Sequence, residues 1–153
     1  LISQTAEGTN KWITTAYTKS ELLEKAYGRL KTPVDRILYV KGTAQIEHPI
    51  ASGIRALARQ SMIGVNDQDG AIAISKKEAA KIPAEDICTK QYFEDFGGAV
   101  IEVWSYDPII LERDGCVDDI SLLLSMDNDP NERVQTCLDE IRQKHGLPIK
   151  EEE

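Results

Sequence analysis

The sequence predicts an α/β (or α+β) fold: a small mixed sheet of three to four strands with packed helices. Three observations predict it. Apolar stripes at helical spacing alternate with short β-branched runs. The order is helix, strand, helix, strand, helix, strand, closed by a helical hairpin. The chain of 153 residues is 41% hydrophobic and 29% charged, which is enough to bury a core without disulfides or metal.

The first element is a wing-like β-ribbon. "LISQTA" and "KWITTAY" are rich in Ile, Thr, Trp and Tyr and flank the turn-prone "EGTN". Thr18 and Glu21 then have capping-box spacing, and Leu22, Leu23, Ala26, Tyr27 and Leu30 form a helical stripe that Pro33 ends. "RILYVK", Arg36 to Lys41, reads as a strand apolar on both faces, hence central in a sheet.

"HPIASGIRALARQSMI" reads as a second helix with Pro49 in its first turn and Ile50, Ile54, Leu57, Ala58 and Ser61 inward. The turn "NDQDG" leads to the strand "AIAI". Ser75 and Glu78 form a second capping box, opening a brief helix stopped by Pro83. Residues 84–98 read as a loop or short helix over the core, released by Gly97-Gly98 into the strand "VIEVW". In the C-terminal third, Asp118 caps one helix. Asp129, Pro130 and Glu132 read as N-cap, first-turn proline and reciprocal acid of another. That last helix carries Val134, Cys137, Leu138 and Ile141 inward and ends at His145-Gly146, before Pro148.

The net charge of −8 argues against a main nucleic-acid-binding surface in these residues. Cys88, Cys116 and Cys137 have no C-x-x-C spacing and are odd in number, as expected of free thiols in a reducing cytoplasm. No long apolar run reads as a membrane span or a secretory signal. The opening Leu1 reads as the start of an excised C-terminal part of a longer protein.

No strong catalytic motif is present: no glycine-rich phosphate loop, H-E-x-x-H or G-x-S-x-G. No catalytic residue, metal or cofactor is assigned. His48 and His145 read as structural, beside Pro49 and in a last helical turn. Asp107, Asp114, Asp118 and Asp119 lack the EF-hand pattern and read as turn and cap residues.

The unusual position is Glu102, between Val100 and Trp104 on one strand face. Burial of a carboxylate demands a partner, and Arg36 and Arg55 are the candidates for an ion pair; the alternative is exposure at a sheet edge. A second reading takes Glu102 with Asp69 as metal-holding acids of a divergent nuclease. Trp104 stands two residues after Glu102, where the acid-x-Lys pattern of such sites has a lysine. A third reading takes Trp104, Tyr106, Tyr92 and Phe93 as the lining of a small-molecule pocket.

The runs "YTKSELLEKAYGRLKTPVDRILYV", "GIRALARQSMI", "AIAISKKE", "VIEVWSYDP" and "GCVDDISLLLSMDNDPNERVQTCLDEI" resemble the C-terminal half of bacterial winged-helix regulators of the MarR-like kind. They also resemble abortive-infection type IV antitoxins. The resemblance covers nearly the whole chain, through packing and capping patterns. It implies that 1–17 is the tail of a winged-helix module, 18–146 an effector domain and 147–153 a flexible acidic tail. It also implies DNA binding through a missing N-terminal domain, and a partner protein or homodimer held by this part.

Overall fold

The computed structural model describes residues 1–42, 44–61, 63–64 and 70–149. The chain divides into two compact units, Leu1–Lys31 with Asp139–Glu153, and Thr32–Leu138. The boundary expected between residues 17 and 18 does not coincide with this division, because α1 falls with the ribbon.

The first unit opens with strands β1 (Ser3–Glu7) and β2 (Asn10–Thr14), paired antiparallel from Ser3↔Thr14 to Glu7↔Asn10. Gly8, at φ 62°, supplies the left-handed turn conformation that a two-residue hairpin loop requires. Helix α1 (Lys19–Tyr27) starts at the expected capping box: the Thr18 N–H donates to Glu21 at 2.9 Å, and the Glu21 N–H donates to Thr18 Oγ1 at 3.3 Å. The C-terminal end of this unit is a Schellman turn. The Leu147 N–H donates to the Arg142 carbonyl (2.9 Å), the Gly146 N–H donates to that of Gln143 (3.1 Å), and Gly146 has φ 68°. Leu147 is buried, so the tail expected from 147 is anchored at its first residue. Residues 150–153 lie outside the described part.

The second unit is built on a five-stranded sheet in the order β4-β5-β7-β3-β6. Its strands are β3 (Val34–Val40), β4 (Ile50–Ala51), β5 (Ala71–Ser75), β6 (Ile87–Cys88) and β7 (Ala99–Trp104). Only β5 and β7 run parallel; the other pairs are antiparallel. The helices are α2 (Gly53–Gln60), α3 (Lys76–Ala79), α4 (Lys90–Phe96), α5 (Asp119–Met126) and α6 (Glu132–Lys144), the last crossing the unit boundary. The mixed α/β class is as expected, with two short strands added to the sheet.

One sheet face is the main apolar core, where Val40, Ile72, Ile74, Ile101 and Val103 pack with Ala79 and Ile82. Removing each of these five valine and isoleucine side chains of the strands from water contributes roughly 1.5–3 kcal/mol. The other face carries Ala73, Glu102 and Trp104, and α2 begins on it.

Three elements depart from expectation. Ile50 and Ala51 form β4 instead of a first helical turn, because they pair with Ala73 and Ile72 of β5. Gly53, at φ 54°, then turns the chain into α2. β3 is next to the sheet margin instead of central, since β6 pairs only with Tyr39 and Val40 before Thr89 caps α4. Ile37 of β3 is accordingly 44% exposed. Finally, the residue before α6 is Asn131, whose side chain accepts the Arg133 N–H at 3.0 Å, while Asp129 accepts that of Asn131 at 2.9 Å. Pro130 thus precedes the cap.

Both sheet margins are blunted. The Ala51 N–H donates to the Gly115 carbonyl at 2.8 Å and the Val117 N–H to that of Ala51 at 3.0 Å, so residues 115–117 close β4. On the far side, β3 carries a register shift between Val34 and Arg36 and the exposed charges Asp35 and Arg36. Bulges and charges of this kind oppose strand addition.

Candidate functional site

Glu102 is the buried carboxylate of β7, 9% exposed. Its Oε2 accepts from the Ser52 hydroxyl and, at 3.0 Å, from the Trp104 indole Nε1–H. Ser52 is the N-cap of α2, yet its hydroxyl makes no cap bond and serves Glu102 instead. A Cβ built on the following Gly53 would lie 3.7 Å from Glu102 Oε1. The carboxylate therefore sits at the start of α2, where the peptide dipoles favour negative charge.

Neither expected cation is its partner. Arg36 stands opposite Val103 in the sheet register, so its side chain leaves from the other face. Arg55, on α2, packs its Cα and Cβ against Gly70, and its Nε is buried without a hydrogen bond among the described residues. Among those residues neither arginine makes an ion pair with Glu102. Two neutral donors replace the expected salt bridge.

The four aromatic candidates do not converge. Trp104 is 1% exposed and meets Tyr106 edge-on at 5.5 Å. The Tyr106 hydroxyl lies 2.5 Å from Ser121 Oγ, and the Ser121 N–H donates to Asp118 at the start of α5. Burial raises the Tyr106 pKa above the usual phenol value; the Ser121 hydrogen bond opposes this and Asp118 adds to it. Tyr92 and Phe93 lie on α4: Phe93 packs on Tyr39 of β3 at 5.4 Å and Tyr92 on Phe96 at 4.7 Å. The first pair ties β7 to α5, whereas the second covers the β3 side. Asp69 of the two-acid reading lies outside the described residues. Among the described residues, no group of three His, Cys, Asp or Glu is arranged to hold a metal ion.

Concave surface is found elsewhere among the described residues. Two hollows of about 80 and 160 Å³ share Glu47, Ile74 and Glu78 at the C-terminal end of β5. Crevices beyond the carboxyl ends of parallel strands are the usual ligand position in α/β sheets. Ile50, Ile74, Pro108 and Ile109 give the smaller hollow an apolar lining, and Glu47, His48, Ser75, Glu78 and Asp107 line it as well. Lys81 lines the larger one, 2.7 Å from Glu78 and 3.8 Å from Glu47. The Glu78 hydrogen bond holds the Lys81 ammonium above its ordinary pKa. His48 adopts φ 52°, a left-handed conformation uncommon outside glycine.

None of these cleft residues was selectable as a site from sequence. Glu78 had the signature of a capping box, of which only the Ser75 half forms: the Glu78 N–H donates to Ser75 at 3.1 Å, while the Glu78 carboxylate accepts from Lys81. Asp107 and His48 flank prolines, and their convergence depends on the sheet order.

Compared with protein-family models, curated proteins and solved structures, the chain has no match. Among the described residues no helix is long and apolar enough to cross a membrane.

Proposed function

We propose that this chain is a non-enzymatic effector and interaction module of a bacterial helix-turn-helix transcriptional regulator, of the antitoxin-like autorepressor kind. DNA is bound by an N-terminal domain outside this sequence, in the cytoplasm, and the present chain contacts a partner protein or a second copy. One observation carries the interaction part. Ile109, Ile110 and Leu111 follow one another on the turn after β7 and are all exposed, Ile110 by 72%. Consecutive large apolar side chains held in water at an ordered turn are characteristic of contact surfaces. The Glu102 network supports the same reading, since both of its donors come from the scaffold itself, one from the start of α2 and one from β7.

The regulator part rests on the resemblance of the sequence and on the charge of −8, which suits a domain that stays off DNA while another reads it. The test is a mobility-shift comparison on promoter DNA, including the gene's own. The full-length gene product is expected to bind and this chain alone to leave the DNA free. A full-length product that binds no promoter DNA overturns the reading.

A further inference from the structure

Resting on the interaction-module reading, we infer that the cleft at the end of β5 docks a basic peptide segment. An arginine or lysine side chain enters between Glu47 and Glu78, and an apolar neighbour lies on Ile109–Leu111.

Charge complementarity selects this occupant. Three carboxylates, Glu47, Glu78 and Asp107, line the two hollows against one ammonium, Lys81. Glu47 and Glu78 already converge on that ammonium, at 3.8 and 2.7 Å. The cleft thus holds a cation of the right class supplied by its own chain. Lys81 is 53% exposed on a flexible stem, so it can swing into water when another cation arrives.

Continuity selects the apolar part. Ile109 lines the hollow and is itself 52% exposed, so the apolar lining of the cleft reaches the surface at the turn that also carries Ile110 and Leu111. An acidic floor beside an apolar shelf fits a cationic residue flanked by leucine-like ones. It rejects an acidic segment, which would meet like charge.

The experiment is a ¹⁵N–¹H titration of the whole chain with acetyl-Leu-Arg-Leu-amide, acetyl-Ser-Arg-Ser-amide and acetyl-Leu-Glu-Leu-amide. The first peptide is expected to shift the amides of Glu47, Glu78, Ile109 and Ile110, and to bind about tenfold or more tightly than the third. The serine peptide should bind more weakly than the leucine one, and binding should fall with added salt. Glu78→Gln and Ile110→Ser should each weaken the first peptide several-fold. Lys81→Met, which removes the resident competitor, should tighten it.

The tightening is a readout that general loss of structure cannot produce. It keeps the proposal testable if Glu78→Gln unfolds. Equal affinity for the arginine and glutamate peptides, shifts confined to other surfaces, or weaker binding by Lys81→Met overturns the proposal. The outcome is separable from the regulator reading: promoter binding by the full-length product stands or falls in its own assay, whichever peptide this cleft accepts.

Discussion

At the scale of single residues, Glu102 shows how a buried carboxylate is held by neutral donors, with no ion pair to it among the described residues. The hydroxyl of Ser52, the indole N–H of Trp104 and the start of α2 share the work expected of an arginine. Truncation would leave two buried donors without their acceptor, each costing about 1–3 kcal/mol. Glu102→Ala is therefore expected to lower the urea-unfolding free energy by about 2–4 kcal/mol, and Glu102→Gln, which keeps an acceptor oxygen, by clearly less. Equal losses in the two variants would mean that the acceptor role is wrong. Tyr106 gives a pH test. Its folded-state pKa is raised, so its contribution is complete below the free phenol value near 10 and is lost as pH climbs through the folded value. Alkaline titration of stability should show this loss in the wild type and not in Tyr106→Phe.

At the scale of elements, glycines and caps decide where segments start and stop. A Cβ on Gly98, which has φ 142°, would stand 2.1 Å from the Val40 carbonyl oxygen, and one on Gly70 would stand 2.1 Å from the Arg55 Cβ. Gly98→Ala and Gly70→Ala should each cost more than about 2 kcal/mol in chemical denaturation. Gly28→Ala, with open space around it and ordinary φ, should be neutral or slightly stabilising. At α1, the Thr18 N–H lowers the Glu21 pKa. The helix should therefore lose support as pH falls through that depressed value, and Glu21→Gln, which has no carboxyl group to titrate, should flatten this dependence in circular dichroism. Such local chemistry is what the sequence displayed legibly. Both capping positions, the ribbon turn, the Asp118 cap and the buried stripe of α6 follow from spacing alone. β4 and β6 did not, because two-residue strands carry no periodicity and exist only through their partners in β5 and β3. The first turn expected at Pro49 failed for the same reason, whereas the helix itself runs from Gly53. The cleft was hidden because Glu47, Glu78 and Asp107 come from three separate segments.

At the scale of the molecule, the charge of −8 dominates encounters with other macromolecules. Fluorescence anisotropy with duplex DNA should show no binding by this chain at physiological salt, and tight salt-sensitive binding would reverse the charge argument. The arrangement of the second unit also limits how copies can meet. One flank of its sheet is occupied by residues 115–117, and the other is broken by a bulge, two charges and the turn into α4. Association through this sheet must then proceed through side chains, which gives discrete complexes that dilution can reverse. Seeding a fibril from this sheet would first require peeling away a piece of the native backbone, so its strands stay out of such growth for as long as the fold holds.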